Sequence, residues 1–197
     1  MPWAGFATAV VLLFALLGCK GGAEEASSTG NAASKAAEIR VGAASDLQFA
    51  FTEIGKKFEA ETGTKVTFVF GSTGNLAKQL KEGAPFDVFA AANVAFVDDV
   101  VAAGACHGDT KALYGRGRIV LWSRKDAKDP ARSLSDLTDA RFKKIAIANP
   151  EHAPYGKAAK EALESAGLWE TVQPKLVFGE NVSQTLQFGQ TGNAEAA

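Results

Sequence analysis

The sequence predicts an α/β protein of two successive lobes, each a mainly parallel sheet flanked by helices, with the second lobe incomplete. Three observations carry this. From residue 39 onward, short apolar runs alternate with helical patterns, the mark of parallel strands joined by right-handed crossovers. Two of the runs end in a serine that opens a helix, at Ala43-Ala44-Ser45 and at Phe70-Gly71-Ser72. After residue 118 the order of strand, loop and helix mouth repeats.

The N-terminal segment stands apart from this pattern. Residues 7–17 form a continuous apolar run, too short to span a bilayer as a mature helix. The run ends in Leu16-Leu17-Gly18-Cys19. This looks like a lipobox, where bacterial lipoproteins are cleaved before the cysteine and lipidated on it. Residues 1–19 are therefore read as a lipoprotein signal peptide, with Cys19 as the lipidation site. No Lys or Arg precedes the run, and a plain secretory signal with a chance cysteine is the alternative. A lipidated Cys19 carries more than one acyl chain, enough for stable anchoring. The expected place is thus periplasmic or cell-surface, on a membrane. Residues 20–37, rich in Gly, Ala, Ser and Glu without apolar period, read as a flexible tether. With Cys19 lipidated, Cys106 has no partner and is expected to be a half-buried thiol in a turn.

The folded part is read in two stretches, 38–117 and 118–197. Ile39 to Ala44 is a short strand. Ser45-Asp46 opens a helix in which Leu47, Phe51, Ile54 and Phe58 recur at helical spacing, and Thr62-Gly63-Thr64 stops it. Lys65 to Phe70 is apolar on both faces, as a buried parallel strand would be. Gly71-Ser72-Thr73-Gly74 turns into a helix that ends at Gly83-Ala84-Pro85. Residues 87–91 are a third strand and 94–103 a third helix. Gly115 and Gly117 mark a crossing point. A strand is expected over 118–123, a short helix at 133–137 and a strand over 144–148. The stretch from Asn149 to Gly156 contains two prolines and reads as a stiff loop before a helix from Lys157. Beyond it come a strand over 175–178 and a helix over 182–190, with Glu180-Asn181 at the cap. The phenylalanines Phe49, Phe51, Phe58, Phe68, Phe70 and Phe89 are expected in the core.

In such sheets ligands bind beyond the carboxyl ends of the strands. Helix N-termini there offer unpaired amides and a positive dipole end, a ready anion site. For either serine alone, simple N-capping is the ordinary reading; two serine-opened helices in succession are more specific. Asp46 is expected to turn outward as a first-turn acid. Only His107 and His152 are present, and neither accompanies a nucleophile motif, so His152 is read as ordering its proline loop. Gly71 to Lys78 lacks the Gly-Lys-Ser/Thr ending of a phosphate loop. A net charge of −1 argues against a nucleic-acid partner.

Taken together, Ala43-Ala44-Ser45-Asp46-Leu47, Gly71-Ser72-Thr73-Gly74-Asn75-Leu76, Gly83-Ala84-Pro85-Phe86-Asp87-Val88-Phe89 and Pro150-Glu151-His152-Ala153-Pro154-Tyr155-Gly156 resemble the periplasmic molybdate-binding proteins of ABC importers, of the type II periplasmic-binding-protein fold. The resemblance runs from about Ile39 to the end. It implies an oxyanion held by the hydroxyls and amides of Ser45 and Ser72 and the amides of Tyr155 and Val182, with molybdenum present only as its oxyanion. A family tyrosine from a later strand, and the family's return of the chain to the first lobe, have no counterpart here, so the chain is expected to be C-terminally truncated.

The resemblance implies a lipoprotein that captures molybdate or tungstate and delivers it to an ABC transporter permease. No cofactor, no enzyme activity and a monomer are expected. A receptor for another small anion, such as sulfate or phosphate, is the alternative on the same fold. A hydrolase using the helix mouths as an oxyanion site is the third reading. It lacks a base unless His152 comes within hydrogen-bonding reach of Ser45 or Ser72.

Overall fold

The computed structural model describes residues 37–197. The signal-like run, Cys19 and all but the last residue of the expected tether lie outside the described residues. Two parallel sheets are present. The first has strand order β2-β1-β3, with β1 at Glu38–Ala44, β2 at Lys65–Gly71 and β3 at Val88–Ala90. The second pairs β4 (Ile145–Ala148) with β5 (Leu176–Gly179).

Small residues let the layers close on the first sheet. A Cβ on Gly42 of β1 would come within 2.9 Å of the Phe86 ring, which therefore lies directly on the strand. Helix α1 (Gln48–Thr62) approaches β2 through Gly55, where a Cβ would meet Phe68 at 2.7 Å. It ends at Gly63, whose φ of 71° is the left-handed stop that glycine favours. Helix α2 (Thr73–Lys81) buries Leu76, Ala77 and Leu80, and the last two join Val100 of helix α3 (Val94–Ala102) in one cluster. Each such leucine contributes about 1.5–3 kcal/mol on burial.

The second sheet carries its own core of Leu137, Phe142, Ile145, Leu163, Val172 and Ala196. Helices α4 (Pro154–Ser165), α5 (Trp169–Val172) and α6 (Val182–Gln190) surround it. At its edge Ala196 bridges Ile145, and Trp122 and Ala197 exchange both backbone hydrogen bonds at 2.8 and 2.9 Å.

Strand register sets the level at which the chain leaves each sheet. In the first sheet Ala44 lies opposite Gly71, so the next residues, Ser45 and Ser72, leave the sheet level with each other. In the second, Ala148 lies opposite Gly179, so Asn149 and Glu180 do the same.

Several expectations are corrected. The strand expected over 118–123 does not form, because only Trp122 finds a ladder partner among the described residues. Strand β2 is an edge strand rather than buried on both faces, and Val69 is 42% exposed. Of the six phenylalanines expected in the core, Phe49 (86% exposed) and Phe58 are exposed, whereas Phe51, Phe68 and Phe70 pack partly buried on the core of β1 and β3, and Phe89 on that of α2 and α3. Ile54 is likewise exposed. Helix α4 begins at Pro154, inside the stretch read as loop. Proline is accepted there because the first helical position needs no N–H and its fixed φ suits a helix.

Candidate functional site

The register leaves four helix starts at the carboxyl ends of the strands. Ser45 opens a 3-10 turn, Ser45–Leu47, that continues into α1. Ser72 is the N-cap of α2, Ala153 of α4 and Asn181 of α6. These starts surround one small cavity lined by Ser45, Ser72, Thr73, Tyr155, Asn181 and Val182, among others, with no lysine or arginine among the lining residues. Its volume is about 10 Å³, close to what a single water occupies by that measure. The four residues singled out in the sequence, Ser45, Ser72, Tyr155 and Val182, therefore come together in space.

Among the polar groups at the cavity, the Ser45 hydroxyl and the first-turn amides of Thr73, Tyr155 and Val182 are uncommitted among the described residues, whereas Ser72 Oγ meets His152 Nδ1 at 2.9 Å. Ser45 and Ser72 are only 6% and 4% exposed. Ser72 has the backbone of an N-cap, yet its hydroxyl makes no capping bond. Ser45 makes no side-chain hydrogen bond among the described residues, and its carbonyl accepts from Ser183 Oγ at 3.0 Å. The N–H groups of Thr73, Tyr155 and Val182 fall in the first turns of α2, α4 and α6, where the helix itself offers no acceptor. Asn181 Oδ1 caps Gln184 N at 3.1 Å in α6. Hydroxyls, first-turn amides and helix dipoles together make a cage rich in donors.

The two halves touch around this cavity. Tyr155 Oη donates to Asp46 Oδ2 at 2.8 Å. Gly74 N donates to the His152 carbonyl at 2.9 Å. Ser72 Oγ lies 2.9 Å from His152 Nδ1. Asn75 Nδ2 donates to Glu180 Oε1, and His152 Nε2 stands 3.6 Å from Glu180 Oε2. The fit is tight. A Cβ on Gly74 would lie 2.5 Å from the His152 carbonyl, and one on Gly156 would lie 2.0 Å from that of Ala148.

Two side chains depart from their expected roles. Asp46 does not turn away; it accepts the Tyr155 phenol at the cavity rim. A half-buried phenol needs an acceptor, and Asp46 is the one in reach. Asp46 remains exposed, so water screens its charge. Burial first, then the hydrogen bond and charge of Asp46, then Tyr114, push the Tyr155 phenol far above the ordinary tyrosine range. Tyr114, whose Oη donates to Ala91 O at 2.6 Å, is raised by burial and then by Asp46. His152 is the second departure: its carbonyl and its ring both bond across to the mouth of α2.

Sequence reasoning placed Thr73 at the mouth of α2 and Glu180 at the cap of α6 but foresaw neither of their contacts. Thr73 is 1% exposed, and its Oγ1 accepts from Ala92 N at 3.0 Å, tying α2 to the loop after β3. Cys106 is half-buried, with its thiol pushed up by burial.

The contact of His152 with Ser72 meets the geometric condition set for a hydrolase. The remaining geometry opposes it. Ser72 is buried, and no carboxylate among the described residues orients His152 as a base: Glu180 Oε2 stands 3.6 Å from Nε2, beyond hydrogen-bond distance.

Residues 39–197 match the family model described as bacterial extracellular solute-binding protein. The "Molybdate-binding protein ModA" of Azotobacter vinelandii is 39% identical over 163 residues, 83% of this chain and 64% of that protein. The protein of the same name from Rhodobacter capsulatus is 37% identical over 159 residues, 81% of this chain and 62% of its own length. The chain thus spans slightly under two thirds of these relatives. Among solved structures, the periplasmic molybdate-binding protein of Azotobacter vinelandii superposes with a TM-score of 0.73 at 28% identity, covering 80% of this chain and 69% of that one.

Proposed function

The chain belongs to the bacterial extracellular solute-binding proteins, and from that premise we propose that it captures molybdate or tungstate outside the cytoplasm and delivers it to an ABC importer. The family is one of binding proteins rather than enzymes. The observation that carries the ligand reading is the convergence of four helix starts, with the Ser45 and Ser72 hydroxyls, on one cavity without a lysine or arginine in its lining.

The chemistry of that cage favours a particular ligand. Molybdate is a doubly charged tetrahedron of acceptor oxygens. Ser45 and Ser72 hydroxyls and the amides of Ser45, Ser72, Tyr155 and Val182 are proposed to hold it, with helix dipoles supplying the positive potential. The metal is carried as the oxyanion's centre and touches no side chain directly. A phosphate that keeps a proton has a donor to place, and the groups proposed to hold the ligand, two hydroxyls and four amides, include no carboxylate to accept it, while Asp46 at the rim gives Oδ2 to Tyr155. Such a ligand leaves a buried donor unpaired and is disfavoured. Sulfate offers the same acceptors and differs in size. The names of the relatives favour molybdate over sulfate.

Residues 38–117 and 118–197 are read as the two lobes of the receptor, with a hinge near residues 115–117. Delivery is proposed from a lipid anchor on Cys19, a reading supported by Leu16-Leu17-Gly18-Cys19. The protein is read as a monomer whose partner is the importer's permease.

Thermal unfolding with each anion tests the ligand reading. At a hundredfold excess over Kd, mass action adds about 2.7 kcal/mol to the native state. That is roughly 5–10 °C for a chain of this size. Molybdate and tungstate are expected to give this shift and sulfate much less. Equal shifts for all three would remove the selectivity, and no shift with any would remove the function.

A further inference from the structure

Ser72 has a single hydroxyl proton. Binding an acceptor-only anion in the cavity requires that this proton point inward. The other partner of the hydroxyl is His152 Nδ1, 2.9 Å away. If Ser72 donates to the ring, its lone pairs face the cavity and repel an anion. If the ring donates to Ser72, the hydroxyl proton is free for the ligand. The proton on Nδ1 therefore decides whether Ser72 serves as a donor at all.

The surroundings hold the ring in that contact. Gly74 N donates to the His152 carbonyl at 2.9 Å, so the loop cannot withdraw without breaking a backbone bond. A Cβ at Gly74 would collide with the same carbonyl, which shows how closely loop and helix mouth meet. On the far side, Nε2 lies 3.6 Å from Glu180 Oε2, beyond hydrogen-bond distance. The other oxygen of Glu180 is taken by Asn75 Nδ2. Glu180 is half exposed, so water weakens its pull on the ring. Among the described residues Nε2 makes no hydrogen bond, its ion-pair contact with Glu180 being the long one at 3.6 Å.

We propose that His152 is a positioning residue: its Nδ1–H donates to Ser72 Oγ and so aims the serine proton into the cavity. This rests on the anion reading of the site. It adds a residue from the second sheet that never touches the ligand yet sets the polarity of a donor contributed by the first.

The test pairs two variants with one spectroscopic reading. His152→Asn can place an amide donor where Nδ1 stands, whereas His152→Leu has similar bulk and no donor. By isothermal titration with molybdate, His152→Asn is expected within about threefold of the parent, and His152→Leu weaker by about tenfold or more. Equal affinities for the two variants, weak or strong, would overturn the proposal. The parent's ¹⁵N-histidine spectrum gives a reading that needs neither variant to bind. Of the chain's two histidines, the signal lost in His152→Asn identifies His152. A protonated Nδ1 is expected, and a bare Nδ1 would overturn the proposal. A parent protein that binds no molybdate but has Nδ1 protonated would sink the ligand identity while leaving the positioning role supported.

Discussion

Gly74→Ala probes the cross-cleft contact with a single methyl group. Gly74 is the second residue of α2, and its N–H donates to the His152 carbonyl at 2.9 Å. An added Cβ would stand 2.5 Å from that oxygen and 3.0 Å from His152 Cα. Both are backbone atoms, so no flexible side-chain end can yield. Overpacking of this kind costs about 1–3 kcal/mol, and losing the hydrogen bond about 1 more. Against this, alanine is better than glycine inside a helix by about 0.8–1 kcal/mol. The net cost to the closed arrangement is about 2 kcal/mol. If the anion binds only when the two halves meet, this cost appears in the apparent affinity as a factor of about 30. Isothermal titration with molybdate reads that factor directly. The ligand-free melting temperature is expected to stay within a few degrees of the parent, because opening at the cavity relieves the clash. Parent-like affinity would refute the reasoning, since it would mean that the 72–76 turn and the His152 loop need not meet for binding. A large loss of melting temperature with unchanged affinity would refute it too, by placing the contact in the folding core rather than in a closing surface.

Gly156→Ala should behave differently, because its Cβ would lie 2.0 Å from the Ala148 carbonyl, within one half. No opening relieves that clash, so a destabilisation of about 3 kcal/mol or more is expected, read as a lowered denaturant midpoint whether or not anion is present. The chain's two tyrosines, Tyr114 and Tyr155, are both raised. Above the ordinary tyrosine pKa of about 10 the unfolded chain binds fewer protons than the native one, so stability falls as pH rises. For Tyr155, the half-buried phenol bonded to Asp46, tyrosinate absorbance is expected to appear together with alkaline unfolding, and ionisation of both tyrosines near pH ~10 in folded protein would contradict its burial.

The features legible in the sequence were those that local pattern and strand ends determine. Alternation of strand and helix gave the parallel sheets. Ser45 and Ser72 come directly after β1 and β2, and the Ala44–Gly71 register places them level with each other. Tyr155 and Val182 were reached through the family resemblance, and the structure places each in the first turn of a helix. Less legible was whatever depends on neighbours far along the chain. The four apolar residues of 65–70, Val66, Phe68, Val69 and Phe70, give no sign that β2 sits at an edge. The run 118–123 has strand composition, but a strand needs a ladder, and only Trp122 has a partner there. His152 lies in a motif that drew attention to it, yet its partner Ser72 is 80 residues away. Asp46 was assigned by helix-dipole reasoning within its own turn, whereas Tyr155, 109 residues on, decides its direction.

Asp46 also bears on how a site without lysine or arginine can hold a dianion beside a carboxylate. At about 4 Å a dianion and a carboxylate repel by about 2 kcal/mol in water, against about 8 kcal/mol at the effective dielectric near a protein surface. Asp46 is exposed, which keeps its repulsion toward the low end of that range. Its Oδ2 also accepts from Tyr155, so the phenol dipole lies with its positive end toward the carboxylate. Ser45 and Ser72, by contrast, are buried, where a hydrogen bond to an anion is electrostatically stronger. The same fall in dielectric from rim to floor that mutes the wrong charge therefore strengthens the right dipoles. A lysine in place of either serine would add attraction for every anion alike. Fixed donors select instead for acceptor number and shape, so on the proposed reading selectivity depends on the aim of each donor, and for Ser72 the proposal assigns that aim to His152.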